Sequence, residues 1–445
     1  MNGSRKRFVA FFIFLVVTVQ VAFLCCNPVA RATERPSLNA VSYVYLGSER
    51  TRLHDSRPAA LMAPTMEIKK LFESNDTVVE DNVVGQYSVW LCDELSSRVY
   101  TRADWLAQLM DVMGYATDSA GSYAFSDQYL YPCSSLFVSA YEHGLVDSQM
   151  YMEPFAPLTR RYMARTVTAA LGYADHAVEC ADLYNSDTAL MTMVYFGYFV
   201  PDDENRVYPD AVVTADEAEA ALDEVRLNRT LKGQHLLAFG DSIMYGMGTD
   251  GVGIADMIGE KYGMKVVDYS ENGAAFESIA DRALISDQVK AADKANEPAD
   301  LILLNGGTND ISTRKLGEIS DGFDYKSADK KTFSGSLEYT IGLIEHDFGD
   351  VPMVYIRAHN MNAIKDALER QFGERAVAIA EKWGCAAADI YADTALNTED
   401  DTMCALYTLY REEKGKNDSI HPNTLCYSKF YVPLLSERIA QEFME

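Results

Sequence analysis

The chain has 445 residues, 48% of them hydrophobic and 24% charged, with a formal net charge of −27. That length predicts two or three domains, and the composition excludes a largely disordered chain. The acidic balance argues against nucleic acid and anionic membrane surfaces as partners, since both would repel it.

Arg5, Lys6 and Arg7 precede an apolar run from Phe8 to Cys26, interrupted by Thr18 and Gln20, and Ala30-Arg31-Ala32 follows. A basic start, an apolar core and a small-x-small site predict a signal peptide over residues 1–32 and hence secretion. The run is long for a signal core, so an uncleaved N-terminal membrane anchor is the alternative. Residues 1–32 hold four basic and no acidic side chains, so cleavage takes the net charge from −27 to −31. Cys92, Cys133, Cys180, Cys385, Cys404 and Cys426 remain, with no C-x-x-C spacing, which predicts no metal site. Export permits disulfides. Three cysteines in each half nevertheless predict isolated buried thiols, with Cys404 and Cys426 the pair to test.

Residues 33–85 are polar, contain Pro36, Pro58 and Pro64, and read as an irregular lead-in. The chain then repeats itself over residues 86–225. YTRADWLAQLMDVMGY from Tyr100 is echoed by LTRRYMARTVTAALGY from Leu158, with Thr101 and Thr159 58 positions apart. A third copy, VVTADEAEAALDEV, starts at Val212 and places Thr214 55 positions after Thr159. Each threonine sits where a helix N-cap belongs, and apolar residues follow at helical spacing. A period in the fifties with a helix at constant phase predicts a helical repeat array.

Arg226–Gln234 is polar and reads as a linker over 226–234. Beyond it, over 235–445, strand and helix alternate. His235–Gly240, Lys265–Ser270, Ala299–Gly307, Val351–His359 and Cys385–Ala392 read as buried strands, with helices at Ser336–Phe348, Asn362–Trp383 and Leu425–Phe443. Five such alternations predict an α/β fold with a parallel sheet covered on both faces.

Ligands of such sheets bind beyond the carboxyl ends of the strands. Gly240-Asp241-Ser242 follows the first strand, Asn272-Gly273 the second, Gly306-Gly307-Thr308-Asn309 the third and His359 the fourth. Asp418 and His421, three apart, lie near the C-terminus. A serine hydroxyl needs an imidazole to take its proton, and the imidazole needs an acceptor on its other nitrogen. Asp418-x-x-His421 offers both. The developing oxyanion needs fixed donors, for which the backbone N–H groups of Ser242 and Gly273 and the amide of Asn309 are the candidates. Asp241 is predicted to brace its loop by local hydrogen bonds, and His359 is a candidate to line the substrate pocket, an ordinary surface or core histidine being the alternative. A phosphate loop is excluded because no Gly-Lys-Ser/Thr follows, and an α/β-hydrolase elbow because Met244 stands where glycine is required.

These four blocks resemble those of the SGNH, or GDSL, hydrolases. The resemblance implies a flavodoxin-like three-layer α/β/α domain in which Ser242 is the nucleophile, His421 the base, Asp418 its partner, and Ser242, Gly273 and Asn309 the oxyanion hole. No cofactor is implied. Ile311–Lys331 is expected to form a lid or an inserted loop. Residues 86–225 resemble S-layer homology repeats, a likeness that assigns Arg102 and Arg160 to binding a cell-wall polysaccharide, the third copy lacking this arginine. The joint expectation is an exported, cell-wall- or surface-associated serine esterase acting on acetyl or other short acyl esters of extracellular carbohydrate. A lipase or thioesterase of the same fold, and a non-catalytic wall-binding protein, are the alternatives.

Overall fold

The computed structural model describes the backbone of residues 43–46 and 49–52, and residues 100–117, 125–126, 133–147, 151–361, 364 and 366–444. The predicted signal segment lies outside them. Within the predicted lead-in, Tyr43–Leu46 (β1) and Glu49–Arg52 (β2) pair antiparallel. Gly47-Ser48 between them in sequence is a two-residue hairpin signal that the irregular reading overlooked. No helix among the described residues is long and apolar enough to cross a membrane.

The chain divides into two compact units, one of residues 1–170 with 210–222 and one of residues 171–209 with 223–445. In the first, helices Arg102–Met113 (α1), Ser134–Glu142 (α2) and Arg160–Leu171 (α3) are followed by the start of Ala215–Leu231 (α5). The hydroxyl of each repeated threonine accepts the N–H three residues on, at Asp104, Tyr162 and Glu217. For α1 and α5 the acid at that position returns a bond to the threonine N–H, closing a capping box. The repeat also recurs in tertiary bonds. The Arg102 N–H meets the Ala156 carbonyl at 3.0 Å and the Arg160 N–H meets Ala211 at 3.1 Å, each acceptor lying three residues before the next capping threonine. Trp105, fully buried, donates its indole N–H to Thr166 at 2.7 Å, linking α1 to α3.

The second unit carries the sheet. His235–Phe239 (β3), Lys265–Asp268 (β4), Leu301–Asn305 (β5), Met353–Arg357 (β6) and Ala386–Asp389 (β7) lie parallel in the order β4-β3-β5-β6-β7. Every residue of β5 and β6 is buried, as expected for strands covered on both faces. Ile285–Ala295 (α7), Phe333–Phe348 (α8) and Asp366–Lys382 (α9) form one helical layer, and Ile254–Tyr262 (α6) with Val432–Met444 (α10) the other. Strand order reverses between β3 and β5, which opens a crevice at their carboxyl ends.

The predicted domain boundary differs from the observed one. Residues 226–231 continue α5 because Leu227 and Leu231, four apart, are buried, and the Asn228 amide donates to the Lys261 carbonyl at 2.5 Å. Residues 171–209, including Thr188–Tyr195 (α4), belong with the sheet. Tyr173 donates to the Lys261 carbonyl at 2.7 Å, and Gly197 packs where a Cβ would meet Pro433 at 2.9 Å.

Of the two expectations for Ile311–Lys331, a lid or an inserted loop, the structure has a loop that is held down. Lys382 bonds the Ser320 and Gly322 carbonyls and reaches the buried Glu338 at 2.6 Å, while Leu316, Ile319 and Tyr325 pack on the core. Cys133, Cys180, Cys385, Cys404 and Cys426 are free thiols, of which Cys385 and Cys426 are buried, so Cys404 and Cys426 form no disulfide. Cys404 instead lies 3.6 Å from Thr408 in its own turn. Cys92 lies outside the described residues.

Candidate active site

The sharp turn after β3 is built by packing. A Cβ at Gly240 would lie 2.7 Å from that of Met244, so only glycine fits. The Gln288 side chain grips this residue from both sides, accepting its N–H and donating to its carbonyl at 2.9 Å each. Asp241 is fully buried and caps the helical turn Ser242–Tyr245 by accepting the Ile243 N–H at 2.9 Å, the local bracing expected of it. Burial pushes its carboxyl up to about 6, against the Ile243 N–H and the nearby charges of His421 and Arg282. Gln288→Leu would leave the buried Gly240 N–H unpaired, while the carbonyl keeps the Glu271 N–H at 3.1 Å, and is expected to cost about 1–3 kcal/mol in denaturant unfolding. An unchanged unfolding midpoint would show that the turn is held by other contacts.

His421 comes from an element the sequence reading overlooked, an antiparallel pair of Thr408–Arg411 (β8) and Lys416–Pro422 (β9). Pairing slips between Thr408 and Tyr410, and in this bulge Ser419 adopts φ 61°. The bulge turns Asp418 back on its own loop. Its Oδ1 accepts the N–H groups of Ile420 and His421 at 3.1 and 3.0 Å, and its Oδ2 meets His421 Nδ1 at 2.7 Å. His421 Nε2 then lies 2.9 Å from Ser242 Oγ. Burial alone would raise the Asp418 carboxyl, but the His421 ring and these two N–H groups outweigh it and hold it well below the usual range.

The predicted oxyanion donors are brought to the same rim. Among the described residues, neither the backbone N–H of Ser242 nor that of Gly273 donates a hydrogen bond. Gly273 has φ 80°, a conformation glycine adopts without strain. The Asn309 amide donates to the Ala274 carbonyl at 2.9 Å and makes a long contact of 3.4 Å with Asp241. Its Oδ1 accepts from Arg282 Nη1 at 2.8 Å, and the same nitrogen donates to the Gly273 carbonyl at 3.0 Å. Arg282 thus ties two of the three donor residues together, and it fixes which way the Asn309 amide faces. Buried Asp310 ties the same loops from below by accepting the N–H groups of Glu277 and Phe276 at 2.7 and 3.2 Å. Burial pushes its carboxyl up to about 7 in spite of those donors.

The pocket reading of His359 gives way to its alternative, a core histidine. It is fully buried, its Nδ1 lies 2.8 Å from the Tyr431 hydroxyl, and burial depresses it to about 4, so it is a neutral core residue that does not face substrate. The arginines assigned to wall polymer are both paired within their own unit. Arg102 bridges to Glu153 at 2.9 Å and lies over the Tyr162 ring, and Arg160 bridges to Glu217. Among the described residues no group of three His, Cys, Asp or Glu side chains could hold a metal ion. Two neighbours of the candidate residues, Arg282 against Asn309 and Arg411 against Asp418, were not singled out from sequence. The hairpin pairs Arg411 with Lys416, and only the folded side chains bring its guanidinium to Asp418.

Residues 238–429 match the model of the GDSL-like lipase/acylhydrolase family. No curated protein matches the sequence. Among solved structures, a member of the lipolytic protein G-D-S-L family from Veillonella parvula is 18% identical at a TM-score of 0.31, covering 47% of this chain and 98% of that one. The lipase/acylhydrolase from Enterococcus faecalis is 14% identical at a TM-score of 0.31, over 47% of this chain and 94% of that one. A protein from Lactobacillus plantarum is 20% identical at 0.37, over 48% of this chain and 97% of that one.

Proposed function

We propose that the protein is an exported serine ester hydrolase that removes acetyl or other short acyl groups from extracellular or cell-wall carbohydrate. One observation carries the catalytic part: Ser242 Oγ, His421 and Asp418 form a continuous hydrogen-bonded line of 2.9 and 2.7 Å, with two unengaged backbone N–H groups on neighbouring loops. In this reading Ser242 Oγ attacks the acyl carbonyl carbon while His421 Nε2 takes its proton. The N–H groups of Ser242 and Gly273 and the Asn309 amide receive the oxyanion. Collapse expels the alcohol, which leaves with the proton from His421. Water then attacks the acyl-enzyme by the same route, releasing the acid and restoring Ser242.

The carbohydrate part is supported by architecture. Threonine-capped helices with a constant phase precede the catalytic unit, and such arrays present extended binding surfaces. Export is supported by the basic, apolar and small-residue pattern of residues 1–32.

Incubating the full chain with a fluorophosphonate is expected to label Ser242 and to abolish p-nitrophenyl acetate turnover. Release of acetate from O-acetylated glycan, with no release of fatty acid from an emulsified triglyceride, supports the carbohydrate reading. The reverse pattern moves the substrate to lipid, and a thioester preference moves it to acyl thioesters. A folded wild type that takes no label removes the hydrolase reading and leaves a binding protein.

A further inference from the structure

Arg411 stands at the end of β8 and contacts both halves of the site. Its Nε donates to Asp418 Oδ2 at 3.0 Å, the same oxygen that receives His421 Nδ1 at 2.7 Å. Its Nη2 lies 3.7 Å from the sulfur of Met247, and the Met247 N–H bonds the Ser242 carbonyl at 3.1 Å. Loops 242–248 and 411–422, which carry nucleophile and base, are therefore joined through one guanidinium. The pair is partly shielded, with side-chain exposures of 22% for Arg411 and 7% for Asp418.

We propose that Arg411 is a positioning residue of the triad, which holds the Asp418 carboxylate in line with His421 and, by its charge, extends activity toward acidic pH. The proposal rests on the serine hydrolase reading. When His421 takes a proton, Asp418 stabilises the resulting cation, and a guanidinium on the same carboxylate oxygen offsets part of that attraction. The unprotonated base then persists to lower pH. The other titratable groups around His421 do not supply this charge. Buried Asp241 acts in the opposite sense, His359 is neutral above about 4, and Arg282 sits on the far side against Asn309. Glu412, Glu413, Lys414 and Lys416 of the hairpin turn are exposed and of balanced sign.

The test is the pH dependence of kcat/KM for p-nitrophenyl acetate with the full chain. Arg411→Gln is expected to lower the plateau about tenfold and move the acid limb up by about half a pH unit or more. Arg411→Lys keeps the charge and is expected to hold the limb at the wild-type position while losing part of the plateau. A folded Arg411→Gln whose limb coincides with that of wild type overturns the proposal. So does Arg411→Lys with a limb displaced upward by half a unit, which decides the matter even where the glutamine variant does not fold. Fluorophosphonate labelling of the wild type is run alongside. If that fails, the hydrolase reading has failed, whatever the role of Arg411.

Discussion

Ser242→Ala is expected to lower kcat by about 10⁴- to 10⁶-fold, and His421→Ala by a similar factor. The double variant is expected to be little worse than either single one, because the two side chains act as one unit: without the imidazole the hydroxyl is not activated, and without the hydroxyl the imidazole has no proton to take. The geometry supports this coupling directly, with Nε2 at 2.9 Å from Oγ and Asp418 pinning the opposite nitrogen at 2.7 Å. Single-turnover kinetics of the three variants check the expectation. Losses that multiply in the double variant would show the two residues acting in separate steps.

Asn309→Ala is expected to cost about 10²- to 10³-fold in kcat, or ~2.7–4 kcal/mol, with little change in KM. A donor aimed at the oxyanion acts in the transition state, where the charge exists, so its loss appears in kcat. In the free protein one Asn309 N–H is held by Ala274, and the other makes the long contact with Asp241, a bond that can be exchanged for the oxyanion. Arg282→Ala is expected to reproduce part of this loss, since its Nη1 anchors both Asn309 Oδ1 and the Gly273 carbonyl. Steady-state kinetics on one substrate decide the point. An Asn309→Ala variant whose KM rises while kcat holds would place Asn309 in ground-state binding.

Much of the site was legible because its parts are short and local. Gly-Asp-Ser at a strand end, glycine after the second strand, asparagine after the third and Asp-x-x-His near the C-terminus each declare a backbone shape or a chemistry within a few residues. The five strands were legible for the same reason, as apolar runs bounded by polar turns. Local pattern failed where a residue's role depends on distant partners. His359 at a strand end resembles a pocket residue, and only the Tyr431 side chain, 72 positions away, shows it to be core. The stretch from Arg226 resembles a linker because polar residues dominate it, whereas its two buried leucines continue a helix. Ile311–Lys331 resembles a lid or an inserted loop, and only the bonds of Lys382 and Glu338 to Ser320 show it held down.

By itself the sequence determined the parallel α/β domain, the choice of Ser242, Asp418 and His421 as residues the fold brings into one hydrogen-bonded line, and the phase of the N-terminal helices. Each follows from periodicity or from a motif that acts within one turn of chain. Tertiary structure alone decided the β8–β9 bulge that folds Asp418 onto His421, the two arginines that bond Asp418 and Asn309, and the inclusion of residues 171–209 with the sheet. A guanidinium gains its role from the acceptors packed around it, and those come together only when the chain has closed.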